Sequence, residues 1–415
     1  MAAADGQVDV VQADVVVVGG GPAGLSAATE LKRLGVGRVV LLERDHVVGG
    51  IPRHCGHSPF GMREFQRILS GPRYVARLEA AAREAGVTIL TRHSVLSVGE
   101  GEVRAVSPDG PLAFRPGRII LATGTREKPR SARLVSGERP VGILNTAALQ
   151  SYVHLEKLTP FKRPVIVGTE LVAMSAVLTC LFAGIRPVAI LERNARPTAR
   201  FPFWLLPSLL GIPVRYGTAI SGIGGKGRVE QVTTTSSAGQ QTIACDGLLF
   251  TGQFTPESAL ARLSGLAIDE ASGGPLVDCF GRTSAPRIFA AGNLLRPVET
   301  AGWCWAEGKR LAASVLSDIK DGLPGRQGMI RIHAGSGIKL VVPQEIGQGT
   351  LPHSLPDLQV RLGAKLRGTL TLSAGDDAIW SRAIDSAPER RILIPIARIH
   401  IPPEVTELTL NATSR

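Results

Sequence analysis

Short apolar runs, each stopping at glycine, punctuate the chain. Asp14-Val-Val-Val-Val18 is followed by three glycines and then by a helical stretch from Pro22 to Leu34. Val39 to Leu42 is a second apolar run, ending at Glu43. Strand, helix and strand in that order predict a βαβ unit. Residues 72–86 read as a helix, Val87 to Leu90 as a strand, and 95–118 as short strands broken by turns. Arg118 to Leu121 is a further buried strand, closing at Thr123-Gly124. A second βαβ unit begins at Pro164-Val-Ile-Val-Gly168, with a helix over about 171–183 and a strand from Pro187 to Leu191. It repeats the first unit about 150 residues later. Leu248-Leu-Phe-Thr-Gly252 mirrors Ile120-Leu-Ala-Thr-Gly124. Ile288-Phe-Ala-Ala-Gly292 is a last strand of this kind, and a helix follows from about Trp303 to Asp318.

Beyond the Gly/Pro-containing linker at 321–328 the pattern changes. Segments 329–333, 338–342, 358–362, 367–373 and 392–400 read as short strands, so the tail is a small all-β domain. With 415 residues and 44% hydrophobic content, two to four domains of roughly 100–200 residues are expected. The net charge of +12 suits an acidic partner or an anionic ligand, or simply an arginine-rich solvated surface. Basic residues are dispersed and aromatic residues make up 4%, which argues against a nucleic-acid platform. The five cysteines, Cys55, Cys180, Cys245, Cys279 and Cys304, contain no CxxC. No zinc or iron–sulfur site is expected from such spacing, and the usage suits a reducing compartment. No basic-then-apolar leader and no apolar run of about 18 residues is present, so neither a signal peptide nor a membrane span is expected, and the expected location is cytoplasmic.

Gly19-Gly-Gly21-Pro22-Ala23-Gly24 fits GxGxxG. The first glycine permits the tight turn, the second lets backbone approach a pyrophosphate, and the third allows close helix–strand packing. The helix N-terminus supplies N–H donors to phosphate. Glu43, at the end of the next strand, is placed to bind ribose hydroxyls. On these grounds the dinucleotide is NAD or FAD.

Four features together resemble the flavoproteins with two dinucleotide domains in the disulfide-reductase-like superfamily. They are Val18–Gly24 with Glu43, Ala122-Thr123-Gly124-Thr125-Arg126, the second βαβ unit at 164–192, and Ile288-Phe-Ala-Ala-Gly292-Asn293. The resemblance covers about 14–320. It implies an α/β fold of two Rossmann-like domains, with an FAD domain split between 1–150 and 271–325. A NAD(P)-binding-like domain would occupy 151–270, and the β domain 326–415. It implies non-covalent FAD held by Gly19, Gly21, Pro22, Ala23, Gly24, Glu43, Arg44, Gly50, Ala122, Thr123, Gly124, Gly292 and Asn293. Gly49-Gly50-Ile-Pro-Arg-His-Cys55-Gly-His-Ser-Pro-Phe-Gly61 and Ser70-Gly-Pro-Arg-Tyr74 are similar to the FAD subunits of heteromeric opine oxidases, hydrogen cyanide synthase and heterotetrameric sarcosine oxidase. They also resemble flavoproteins encoded beside glycerol-3-phosphate dehydrogenases. Such proteins work with a second flavin subunit and a small [2Fe–2S] subunit, so any cluster is expected on a partner.

Three departures matter. Asn293 replaces the usual aspartate, and it is expected to bond the ribityl chain without charge. In the second unit, Gly168-Thr169-Glu170 puts glutamate where the middle glycine belongs, with Glu192 ending the next strand. Glu170 would repel a pyrophosphate, whereas Arg193, Arg196 and Arg200 would suit a phosphorylated ribose. NAD(P), another nucleotide, or a structural relic all remain open there. Cys55 has no cysteine partner for a redox disulfide, and His54 and His57 are expected to lower its pKa or move protons. The plainer reading is that Cys55 packs beside the flavin. Cys55 and His57 are the candidate catalytic pair, and no metal is expected. The leading expectation is an electron-handling FAD subunit of a dehydrogenase or oxidase acting on an amine or amino-acid-like substrate. Its alternatives are a stand-alone NAD(P)H-dependent reductase using Cys55 and a non-catalytic nucleotide-binding scaffold.

Overall fold

In the computed structural model, residues 9–99, 101–297, 299–347, 355–388 and 390–414 are described. The first third of the chain builds β1 (Asp9–Val18), α1 (Pro22–Arg33), β2 (Val39–Leu42), α2 (Gly71–Glu84), β3 (Thr88–Leu90), β4 (Ser94–Gly99), β5 (Glu102–Ser107) and β6 (Gly110–Leu121). Val15 to Val18 and Val39 to Leu42 are all buried, which is why these runs carry no polar alternation. The sheet order is β3-β2-β1-β6-β5-β4. β1 pairs in parallel with β2 and β6, whereas β4, β5 and β6 form an antiparallel meander. Two glycines of the first βαβ turn have distinct duties. A Cβ on Gly24 would fall 1.9 Å from the Gly19 carbonyl oxygen, so any larger residue would lift α1 off the strand. A Cβ on Gly21 would meet nothing within 4 Å, because that position faces open space.

β7 (Thr125–Glu127) leads into a second sheet built from β8 (Ile143–Asn145), α3 (Thr146–Gln150), β9 (Pro164–Val167), α4 (Leu171–Phe182), β10 (Ala189–Leu191), α5 (Leu206–Leu209) and β11 (Val214–Arg215). A three-stranded meander follows, β12 (Ala219–Gly224), β13 (Gln231–Ser236) and β14 (Gly239–Ala244), then β15 (Gly247–Phe250), β16 (Phe254–Pro256) and α6 (Ala259–Leu263). The second sheet has the order β11-β10-β9-β15-β8. The crossover strands β7 and β16 pair antiparallel between the two units. The second sheet therefore begins at Ile143, ahead of the expected boundary at 151. A three-residue strand is too short to register as an apolar run. The chain also returns before 271, since Ala261 and Leu266 pack in the first unit's core with Val98.

β17 (Ile288–Ala290) completes the first sheet beside β6, and α7 (Ala301–Lys320) lies against α1. The tail comprises β18 (Ile330–Ala334), β19 (Ile338–Val342), β20 (Glu345–Ile346), β21 (Asp357–Leu362), β22 (Leu366–Ala374), β23 (Asp377–Ser386), β24 (Ile392–Pro395) and β25 (Glu407–Ser414). These form a five-stranded sheet, β20-β18-β25-β22-β23, and a three-stranded sheet, β19-β21-β24. Ile332, Val360, Leu370, Ile394 and Leu410 belong to the core of this tail. The expected strand 392–400 stops at Pro395 and continues as a short 3-10 turn, Ile396–Arg398. β23 and β25 were not expected from the sequence; much of β23 faces solvent, and its Ile379, Trp380 and Ile384 are only partly buried against the tail's core. Cys279 and Phe280, ahead of β17 in the chain, sit in the tail's core. The tail is thus continuous in packing with the first unit, and Leu340 and Val342 enter that unit's core.

Candidate functional site

A cleft of about 2200 Å³ runs from the first βαβ turn, past the second unit, to the β domain. Its walls include Gly19, Gly21, Pro22, Ala23, Glu43, Arg44, Gly50, Ala122, Thr123, Gly124 and Asn293, so most sequence-predicted cofactor residues share one cavity. Gly24 and Gly292 stand behind that wall and are buried. At one end, the Glu43 carboxylate accepts from the Gly20 N–H at 2.8 Å and the Asp45 N–H at 3.0 Å. These two bonds orient the carboxylate beside the turn. Thr123 is fixed by donating its hydroxyl to the Glu257 carbonyl at 2.8 Å, which ties the 122–124 segment to the returning chain.

At the other end, α7 starts at Ala301, just after its N-cap residue Thr300, and its first residues line the cleft. The Gly292 N–H donates to Glu307 Oε1 at 2.7 Å. Glu307 in turn pairs with Arg296 through contacts of 3.1 and 2.5 Å, both side chains being about 2% exposed. This ion pair pins the 292–296 turn onto α7. Asn293 makes two bonds within its own loop. Its Nδ2 donates to the Glu299 carbonyl at 3.1 Å, and its Oδ1 accepts from the Glu299 N–H at 2.8 Å. A carboxamide matches both groups of one residue; an ionised aspartate, which only accepts, would not. Asn293 is therefore a clip for the loop leading into α7, and it also lines the cleft.

The second βαβ turn is built differently. The Glu170 side chain folds back across its own turn, and its Oε2 accepts from Thr251 Oγ1 at 2.9 Å. A Cβ on Gly168 would lie 2.3 Å from Glu170 Oε2, and one on Gly252 would lie 2.7 Å from Oε1. The carboxylate therefore occupies the space over the glycine turn at the start of α4, where the first unit leaves an opening. Arg133 closes the same corner by donating to the carbonyls of Thr251 at 3.0 Å and Gly252 at 2.7 Å. Glu192 is buried and engaged by Thr169, and its Oε1 accepts twice from Asn194 at 2.8 Å. Arg196 and Arg200 line the shared cleft.

Cys55 is buried next to the cleft, with Sγ 3.5 Å from Gln150 Oε1 and 3.6 Å from the Ile51 carbonyl. Burial pushes its thiol up to about 12. The expectation that neighbouring histidines lower this pKa is thus overturned: the desolvation cost of a buried thiolate outweighs any help from His54 or His57. His57 does not touch the thiol. Its Nε2 lies 2.5 Å from Ser175 Oγ, and Ser175 accepts from Gln150 Nε2 at 2.7 Å. Cys55, Gln150, Ser175 and His57 thus form one chain of contacts spanning the two units. Burial holds His57 below its ordinary pKa. Gln150 and Ser175 were invisible to sequence reasoning, because a lone Gln or Ser on a helix carries no motif. Cys304 is buried with Gly292 close by, whereas Trp303 has two guanidinium groups over its ring, Arg63 at 3.9 Å and Arg391 at 3.5 Å. Among the described residues no group of three or more His, Cys, Asp or Glu is placed to hold a metal, and no helix is long and apolar enough to cross a membrane.

Two dinucleotide-type βαβ sheets joined by paired crossover strands, with a cleft along the first glycine turn, define a flavin-type oxidoreductase. The chain belongs to the pyridine nucleotide-disulphide oxidoreductase family, whose profile matches residues 13–308. It is 28% identical over 310 residues to the ferredoxin reductase component of chlorobenzene dioxygenase from Cupriavidus sp. (strain PS12), covering 71% of this chain and 69% of that protein. It is 23% identical over 342 residues to an opine oxidase subunit from Agrobacterium tumefaciens (strain Ach5), covering 74% of this chain and 66% of that one. T. acidophilum thioredoxin reductase shares the fold, with a TM-score of 0.62 at 23% identity, covering 74% of this chain and 99% of that structure. Proteins of this family and its ferredoxin reductases use FAD and NAD(P)H. FAD fits the first unit: the open Gly21 position, the α1 N-terminus and the oriented Glu43 form a cradle for an adenosine diphosphate. A second dinucleotide does not fit the second unit in the same way, since the Glu170 carboxylate lies over its own glycine turn, where the first unit is open at Gly21.

Proposed function

We propose that the chain is the electron-handling FAD subunit of a heteromeric dehydrogenase or oxidase acting on an amine, amino-acid-like or related small substrate. The observation that carries this reading is the contrast between an open first cradle and a second cradle filled by Glu170. FAD, when bound, supplies the redox chemistry of its flavin ring. Gly19, Gly21, Pro22, Ala23 and Gly24 would receive the pyrophosphate, Glu43 the ribose, and the 122–124 and 292–293 segments the rest of the cofactor. The Arg296–Glu307 pair and the Asn293 clip hold the α7 N-terminus against the cleft. The positive end of that 20-residue helix would favour negative charge there. His57, neutral near pH 7, can accept a proton at one ring nitrogen.

The likeness to a protein that is itself a subunit of opine oxidase supports an assembly with further subunits, for which a second flavin subunit and a small [2Fe–2S] subunit are the partners proposed. A cytoplasmic location suits five cysteines of which none forms a disulfide. The likeness to a ferredoxin reductase component favours a second reading, a self-contained NAD(P)H-dependent reductase. The buried Cys55 thiol speaks against its use as the nucleophile of such an enzyme. Purification from the native host tests the proposal. Recovery of the chain with a second flavin subunit, and amine-dependent flavin reduction only in that complex, is expected. A chain that runs alone and oxidises its substrate at full rate would contradict it.

A further inference from the structure

The β domain, which lies outside the matched family segment, reaches into the far end of the cleft. Around the α7 N-terminus the cleft is lined by five cations, Arg63, Arg361, Lys365, Arg390 and Arg391, against the carboxylates Glu64, Glu299 and Asp385. Four of those five cations come from the β domain. Two of the carboxylates are already committed. Glu64 accepts from the Tyr74 hydroxyl at 2.6 Å. Glu299, whose side chain is 4% exposed, is shared by Arg361 and, at 2.6 Å, by Arg391. One buried carboxylate therefore serves two guanidiniums in a partly desolvated place. Arg391 also lies over the Trp303 ring, as does Arg63. Burial, together with the charges of Arg361, Arg296 and Arg63, draws Arg391 below its ordinary pKa against the pull of Glu299. Lys365 and Arg390 are exposed at the same mouth.

This network is tied to the flavin-side loop. Asn293 clips the Glu299 backbone, and the Glu299 side chain holds Arg361 on β21 and Arg391 before β24. The β domain thus closes the cleft beside the α7 N-terminus, bringing with it more cationic than anionic groups. An anion with two or more oxygens is the ligand such a fork-bearing site recognises best.

We propose that the β domain completes the cofactor cleft as a binding site for a small anion carrying a carboxylate or phosphate, held at its mouth by Lys365 and Arg390 with Arg391 behind them. The inference rests on the reading that FAD occupies the cleft, since the anion would lie beside the flavin ring. It gives the amino-acid-like ligand of that reading a place for its charged end.

The test uses the FAD-loaded protein titrated with oxalate or inorganic phosphate at constant ionic strength, and reads the flavin absorbance difference spectrum. Saturable perturbation by either probe is expected, and the tighter of the two distinguishes carboxylate from phosphate. Lys365→Gln combined with Arg390→Gln is expected to weaken it at least tenfold at unchanged FAD content, and Lys365→Arg with Arg390→Lys to retain it. Flavin present with no saturable response, or a response unchanged in the double glutamine variant, would overturn the inference alone. A response to polyglutamate but to neither small anion would overturn it in favour of an acidic protein partner. Purified wild-type protein that takes up no FAD would sink this inference and the functional reading together.

Discussion

Gly21 and Glu170 occupy the same position of two duplicated turns and have opposite consequences. With no Cβ neighbour within 4 Å, Gly21 leaves room for a pyrophosphate, whereas Glu170 places a carboxylate across its own turn. Gly21→Glu should accordingly abolish FAD binding, weakening it at least about hundredfold, or roughly 3 kcal/mol, as read by flavin absorbance of the purified protein. Full yellow colour in that variant would mean the site is misassigned. The reverse change, Glu170→Gly, should raise ADP or NAD(P) affinity at the second unit in calorimetry, and no gain would mean that the pocket is closed for other reasons. Asn293→Asp removes the donor that meets the Glu299 carbonyl and sets two oxygens against each other. It should loosen the loop into α7 and weaken FAD binding by about tenfold, the cost of roughly 1.4 kcal/mol typical of one lost buried hydrogen bond. Unchanged affinity would show that the clip is incidental. The buried thiol of Cys55 should resist iodoacetamide near pH 8 in the folded protein, followed by mass spectrometry, while the unfolded chain reacts fully.

Among the elements, α7 couples the cofactor cleft to the core. It packs on α1, carries Glu307 under the 292 turn, and presents Trp303 to the β domain. Replacing one partner of a buried ion pair leaves the other charge stranded, so Glu307→Gln should destabilise the protein by about 3 kcal/mol in denaturant unfolding. The strands and helices of the two βαβ units were legible because each is an apolar run stopped by glycine. β8 was not, since three residues carry too little periodicity, and β23 was not, since much of it is solvated. The glycine turns and Glu43 could be read from spacing alone. The Cys55–Gln150–Ser175–His57 chain could not, because its members lie on separate elements and meet only when α3 and α4 pack beside the loop. The same limit hid the arginine-lined mouth, whose members are separated by more than 300 residues of sequence between Arg63 and Arg391.

At the scale of the whole molecule, three buried or half-buried histidines, His54, His57 and His154, are each held below their ordinary pKa, mainly by burial. Unfolding lets them take up protons at a higher pH than folding allows. Their contribution to stability is therefore full above the ordinary value of 6.5 and is lost as pH falls below it toward the depressed folded values. The melting temperature should fall between pH 7 and pH 5, and His57→Gln should reduce that slope; an identical slope would remove His57 from the account. The central claim is that the first dinucleotide unit holds a redox-active FAD while the second is filled from within by Glu170. Anaerobic stopped-flow mixing of the FAD-loaded chain with NADH and with NADPH tests it most directly. The account predicts that flavin absorbance near 450 nm stays unchanged over seconds at millimolar nucleotide, although the same flavin bleaches on chemical reduction; rapid bleaching by either nucleotide would contradict it.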